Sequence, residues 1–296
     1  MSDIKLFSLA GKVSELPSSS VSFEKELQTI IEKNMTTFFG VTFLKSEYII
    51  TGGRIDSLGI DENFCPVIFE YKRSTNENVI NQGLFYLDWL LDHKADFELI
   101  VRDTLGKETA EKIDWSMPQV ICIAGAFNKF DEHAVNQMQR NIKLVIYKKF
   151  KKDLILFEYI NIPKSQTIKD EQTNSVYKEI KNVFSYNYDK SSIDLKNIYD
   201  SIRDYILSLD EDITENKLKH YVAFKKVKNI ICVEMLQSKI ILYLSIDPKT
   251  VKFENNFSKD LTNTGHFGTG DVRVTIKKIE DFEKAKPLID RAYNEG

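Results

Sequence analysis

Two short stretches hold the residues best suited to chemistry, GGRIDSLGID (52–61) and PVIFEYK (66–72). Side chains of a strand point alternately to its two faces. Val67, Phe69 and Tyr71 therefore share one face of the second stretch, and Ile68, Glu70 and Lys72 share the other. An acid and a lysine thus leave the end of an otherwise apolar strand together, and buried Glu and Lys are rare unless paired or ligating. The polar break Asp61-Glu62-Asn63 reads as a hairpin turn. Centred on Asn63, that turn sets Asp56 directly opposite Glu70, with Cβ atoms about 4.5–5.5 Å apart. Two like charges so placed repel one another unless a cation lies between them. Mg²⁺ (or Mn²⁺) suits the position, because it takes oxygen ligands, often from only one or two carboxylates. Lys72 would stand beside it as a cation able to orient a water or offset developing negative charge. A register shift of one residue would move Asp56 to the wrong face.

The elements around this pair follow from periodicity. A helix opening at Phe23 carries one apolar stripe of Phe23, Leu27, Ile30, Ile31, Met35 and Phe38. Projected at about 100° per residue, Glu24 lies beside that stripe, Glu26 further out and Glu32 further still. Glu24 is therefore the candidate third carboxylate. Residues 41–50 (VTFLKSEYII) read as a strand and 77–93 as a helix, on which Gln82 and Tyr86 share a face four residues apart. The nearly all-apolar run 119–127 suits a strand buried on both faces. Residues 131–141 read as a helix, and 144–150 and 154–162 as strands. The polar stretch from Lys164 to Asn182 reads as a connector. Beyond it an amphipathic helix (193–209), antiparallel strands (220–226, 229–235, 239–246, 271–278) and a closing helix (279–293) make an α+β module. The expected division is 1–163, a connector 164–190, and 191–296.

The whole chain sets the limits. Its 296 residues carry 41 Lys+Arg against 44 Asp+Glu, a formal net charge of −3, and 42% hydrophobic residues. That content supports real cores and excludes wholesale disorder. No apolar run approaches the roughly 18 residues of a membrane span, and the N-terminus lacks a secretory pattern, so a cytoplasmic location and no membrane partner are expected. Three well-separated cysteines, Cys65, Cys122 and Cys232, fit buried thiols rather than disulfides or a zinc site. Neutral overall charge does not exclude nucleic acid, for which a local basic cleft is enough. Arg54 and Arg73 flank the acid pair as phosphate contacts. Lys148, Lys149, Lys151 and Lys152 form a second basic patch, equally readable as a solvated strand end. From Lys190 onward the count is 18 basic and 17 acidic residues, which disfavours a strongly basic DNA-binding appendage. The four histidines (His93, His133, His220, His266) lack metal-ligand spacing. His93 reads as a helix-end residue and His266, in GHFGTGD (265–271), as part of a turn.

Asp56 followed by Glu70-Tyr71-Lys72 resembles the core motif of the PD-(D/E)XK nuclease superfamily, with Ile55-Asp56 in place of Pro-Asp. Glu24 resembles its helix glutamate, and Gln82 to Tyr86 (QGLFY) resembles the QxxxY motif of the RecB-like and NucS-like branch. The resemblance covers roughly residues 20–160. The C-terminal module resembles an uncharacterised domain that often follows such a nuclease-like domain. Proteins of this build are sometimes labelled predicted transport proteins, which nothing here supports. The resemblance implies a restriction-endonuclease-like mixed sheet flanked by helices, and a Mg²⁺-dependent phosphodiesterase cutting DNA or RNA, with DNA the first expectation. It implies metal held by Asp56 and Glu70, catalysis shared by these with Glu24 and Lys72, and substrate or support contacts from Gln82, Tyr86, Arg54 and Arg73. The alternatives are a non-catalytic binding module on the same fold and a C-terminal domain that senses a ligand or partner; a homodimer stays open. In that case Glu70–Lys72 is a strand-end salt bridge, Glu24 a solvated helix residue, and Gln82 and Tyr86 packing groups.

Overall fold

A computed structural model describes residues 4–19, 24–72, 79–138, 140–151, 153–161 and 183–295. The chain forms two compact units. The first comprises Met1–Asp61, Pro66–Ile113 and Pro118–Pro163, and the second Glu62–Cys65, Asp114–Met117 and Lys164–Gly296.

The first unit opens with a small hairpin, β1 (Leu6–Ser8) and β2 (Ser14–Leu16), and an edge strand β3 (Ser18–Ser19). It continues with α1 (Glu24–Phe39), β4 (Val41–Ile50), β5 (Gly53–Asp61), β6 (Pro66–Lys72), α2 (Val79–Asp92), α3 (Lys94–Leu105), α4 (Lys107–Ala110), β7 (Gln119–Ala124), α5 (Lys129–Gln137), β8 (Asn141–Phe150) and β9 (Leu154–Tyr159). Among the described residues the sheet has seven strands, ordered β3-β8-β7-β6-β5-β4, with β9 on β8. The pairs β4–β5 and β5–β6 are antiparallel, and β6–β7 and β7–β8 are parallel. Helix α1 begins with Glu24 and Glu26, which favour its positive end, and stops at Gly40, whose φ of +65° suits glycine. It buries Leu27, Ile31, Met35 and Phe39 against Val67, Phe69 and Tyr71 of β6 and Ile121 and Ile123 of β7. Helix α2 packs on the opposite face, where a Cβ at Gly83 would come within 2.6 Å of Val120 Cγ1. Strands β6 and β7 are thus covered on both sides, which explains their continuous apolar runs.

The second unit contains α6 (Val183–Lys190), α7 (Ile193–Ser208) and α8 (Ile279–Glu295). Its strands are β10 (Thr214–Lys217), β11 (Tyr221–Lys225), β12 (Asn229–Leu236), β13 (Lys239–Leu244), β14 (Ser258–Asp260) and β15 (Val272–Ile276). They form an antiparallel sheet in the order β10-β11-β12-β13-β15-β14. One face of that sheet packs Ile231, Val233, Leu242 and Val274 against Ile202 and Ile206 of α7 and Phe282 and Ile289 of α8. The architecture is the expected one, a mixed sheet flanked by helices plus a smaller C-terminal α+β unit. Four helices depart from the sequence reading. Helices α3 and α4 fill a stretch that it left unassigned. Val183–Lys190 is helical rather than connector, because Phe184 anchors it in the core. Helix α5 starts at Lys129, set by a capping box between Asn128 and Asp131, and ends at Gln137 rather than at 141, where β8 begins. Residues 164–182 of the expected connector lie outside the described residues.

Candidate active site

Strands β5 and β6 pair Ser57 with Phe69, Leu58 with Ile68, Gly59 with Val67 and Ile60 with Pro66. This is the register expected from a turn centred on Asn63, and its next step sets Asp56 against Glu70. Backbone donors hold the two carboxyls crosswise. The Asp56 N–H donates to Glu70 Oε1 at 3.2 Å, and the Tyr71 N–H donates to Asp56 Oδ2 at 3.1 Å. Glu70 is only 2% exposed. Burial first, and the neighbouring Asp56 charge second, push its carboxyl up to about 9. Burial also raises Asp56, against the opposing pull of the Tyr71 N–H and the Lys72 charge. At neutral pH the geometry therefore favours one shared proton on the pair.

Lys72 ends β6, and its Nζ lies 3.8 Å from Glu24 Oε2. Glu24 thus enters the site through the lysine. Among the described residues no group of three His, Cys, Asp or Glu side chains is placed to hold a metal ion. Tyr86 is buried and its hydroxyl accepts the Arg54 N–H at 3.4 Å. A Cβ at residue 53 would sit 2.6 Å from Tyr86 Cε1, so glycine there is what lets the tyrosine ring lie against the start of β5. Gln82, placed on the same face by spacing, is exposed. Arg54 is largely exposed and pairs with Glu47 at 2.7 Å, and Lys25 reaches the same carboxylate at 3.0 Å. Arg73 lies outside the described residues.

Several of the remaining candidates have structural partners. Lys149 pairs with Glu26 at 2.6 Å, while Lys152 of the same patch lies outside the described residues. His93 stacks on Trp89 at the end of α2, with centroids 4.2 Å apart. His266 sits in the loop before β15 with its ring nitrogens on the Thr264 and Gly270 carbonyls. All three cysteines are buried free thiols. Sequence reasoning missed Gln28 and Glu32. Glu32, the acid placed furthest from the apolar stripe of α1, accepts a 2.6 Å hydrogen bond from Ser57 of β5. Gln28 is 4% exposed and binds the Asp56 carbonyl. The available signal was its place two turns before Met35, at the margin of the stripe.

Two carboxyls and a lysine converge here from adjacent strands. The donors are all oxygens, and two carboxylates match what Mg²⁺ or Mn²⁺ commonly takes from protein while keeping several waters. The donor set of Asp56 and Glu70 is thus of the kind that such an ion takes. No helix among the described residues is long and apolar enough to cross a membrane.

Comparison with known proteins adds a family. An uncharacterized protein of Haemophilus influenzae is 33% identical over 304 residues, spanning 99% of this chain and 100% of that protein, and the chain belongs to its family. Residues 185–296 match a domain of unknown function, DUF5655. Among solved structures, a repair endonuclease from Pyrococcus abyssi gives a TM-score of 0.29 at 17% identity, covering 45% of this chain and 51% of that one. A complex of EndoMS with double-stranded DNA gives 0.29 at 18% identity, with the same coverage. The match spans about half the length of each of these solved chains.

Proposed function

We propose that this protein is a divalent-metal-dependent phosphodiesterase that cuts nucleic acid, with DNA as the preferred substrate. One observation carries the reading. Two carboxyls are forced together in a buried position, cross-braced by backbone N–H groups, with a lysine two residues along the same strand. Charge–charge repulsion and desolvation make that arrangement unfavourable for folding alone, and such arrangements cluster at functional sites. Bound between Asp56 and Glu70, Mg²⁺ or Mn²⁺ would polarise the phosphate and lower the pKa of a bound water. Lys72 would hold its ammonium beside the reacting phosphate and offset the charge that grows on its oxygens. Glu24, 3.8 Å from that ammonium, would orient it. Arg54 at the start of β5 would bind a flanking phosphate, with its backbone fixed by Tyr86. Gln82, being exposed, would contact substrate rather than support the acids.

The test is cleavage of single-stranded, branched, mismatched and duplex DNA, and of RNA, by the full chain with Mg²⁺ or Mn²⁺. Cutting that stops with EDTA and with Lys72→Ala is expected. If the wild type cuts none of these yet still binds them, the non-catalytic binding module replaces this reading.

A further inference from the structure

Behind the carboxyl pair, on the opposite face of the sheet, lies a chain of hydrogen bonds that runs from the surface at Lys25 into the core at Ser57 and Tyr71 and whose directions are fixed by chemistry. Gln28 Oε1 accepts from Lys25 Nζ at 3.0 Å, and an ammonium can only donate. The Gln28 amide nitrogen must therefore face the other way. It donates to the Asp56 main-chain carbonyl at 2.8 Å and to Glu32 Oε1 at 2.9 Å, both of which can only accept, with Ser46 Oγ at 3.2 Å. Glu32 Oε1 also takes the proton of Ser57 Oγ at 2.6 Å. With that proton committed, Ser57 Oγ accepts from the Tyr71 hydroxyl at 3.1 Å. Ser57 and Tyr71 are buried to within 1% of fully.

Two links of the chain end on the residues that orient the acids, Asp56 and Tyr71. The two backbone donors that hold the carboxyls belong to Asp56 and Tyr71. Gln28 grips the carbonyl of the first, and Ser57 grips the side chain of the second. Such outer supports fix the angle at which ligating groups are presented.

We infer that Gln28, acting with Glu32, is a positioning residue for the Asp56–Glu70 pair; this rests on the metal-site reading above. A glutamine is required there because both of its short acceptors need N–H donors. Methionine matches its length but removes this donor from the Asp56 carbonyl and leaves that Glu32 oxygen with Ser57 Oγ alone. The network pins β5 from α1 without touching the acids themselves. Its loss would let the two carboxyls drift while the apolar contacts of α1 through Leu27, Ile31 and Met35 persist.

The experiment is Mn²⁺ titration of the full chain by calorimetry, with electron paramagnetic resonance of the bound ion and hydrogen exchange of the Asp56 and Tyr71 amides. Gln28→Met is expected to weaken Mn²⁺ at least about tenfold, the usual size of an outer-support loss, and to broaden the resonance. Glu32→Met should do the same, whereas Glu32→Gln, which keeps an acceptor for both partners, should lose less than about threefold. If the wild type binds no Mn²⁺, the metal-site reading falls and takes this inference with it. If the wild type binds and Gln28→Met binds equally well, the inference alone falls. Where Gln28→Met fails to fold, equal losses in Glu32→Met and Glu32→Gln overturn it and unequal losses sustain it.

Discussion

The acids of the two units live under opposite conditions. In the first unit Asp56 and Glu70 share a buried place, and burial pushes both carboxyls up. In the second, Asp210 accepts from Lys226 Nζ at 2.6 Å, from the Tyr293 hydroxyl at 2.7 Å and from the Asp212 N–H at 2.9 Å. The Lys226 bond foremost, then the Asp212 N–H and the tyrosine, hold that carboxyl below its ordinary value. Asp210 ties the segment after α7 to the β11–β12 turn and to α8, so it is an acid placed for stability. Among the described residues the Asp56–Glu70 pair is offset by two N–H groups, Lys72 and the charge of Arg54. Natural chains keep local conflict of this kind where function needs it. The contrast predicts which substitutions cost activity and which cost stability.

The largest expected effect is on cleavage. Lys72→Ala should lower the rate by about 10²–10³-fold, the size seen when one donor to developing charge is removed. Lys226→Ala, which removes the partner of the satisfied acid, should leave the rate unchanged and lower the unfolding midpoint. Initial rates on the best substrate, beside thermal unfolding of both variants, check this. Equal losses of rate would erase the distinction between the two regions.

Next in size is the coupling of metal to protons. A Glu70 carboxyl held protonated up to about 9 must release its proton to become a ligand. Mn²⁺ affinity should therefore rise about tenfold per pH unit between pH 7 and 8. Calorimetry in buffers of different ionisation enthalpy would count the proton released. A pH-independent affinity would mean that Glu70 is not a ligand.

The same shift has a sign for stability. Glu70 is raised in the folded state, so its favourable contribution is complete below the unfolded value near 4.5 and is lost as pH rises toward about 9. The metal-free protein should lose up to about 1.4 kcal/mol per pH unit across that window. Glu70→Gln should flatten the slope. Asp210 works the other way: its contribution is present above its unfolded value near 3.8 and is lost only on acidification. Denaturant unfolding from pH 5 to 8 separates the two.

Much of this was legible in the sequence, for identifiable reasons. The β5–β6 register could be read because a polar three-residue break stands between two alternating stretches, and a hairpin turn fixes which residues face each other. Asp56, Glu70 and Lys72 fell together for that reason. Helix α3 was not legible because only Phe97 and Val101 are buried along it, too thin a stripe to stand out, while Leu99 remains exposed. Glu24 was read as a third carboxylate at the margin of the stripe, and a helical projection gives the angle of a side chain but not its reach; in the structure its carboxylate lies 3.8 Å from Lys72 Nζ. Glu32 was set aside by the same projection, yet Ser57 approaches it from the sheet. The side of a helix facing a sheet is wider for polar groups than for apolar ones, because a long acid can bend back to a buried hydroxyl.

The smallest effect gives the sharpest contrast, since the same chemical change should act with opposite signs. Asp56→Asn removes the charge that helps to keep Glu70 protonated and leaves an oxygen that can still accept from the Tyr71 N–H. It relieves the repulsion felt by Glu70, so at pH 8 without metal the stability should hold or rise, by about 1 kcal/mol. Asp210→Asn leaves an oxygen for Tyr293 and for the Asp212 N–H but gives Lys226 a neutral partner, so stability at the same pH should fall. Both changes are isosteric, which excludes cavity effects from either result. Thermal unfolding of the two variants and the wild type, metal-free at pH 8, reads the signs directly. If Asp56→Asn fell as Asp210→Asn does, Asp56 would be acting as a structural acid paired to Lys72, and the case for a metal between it and Glu70 would be lost.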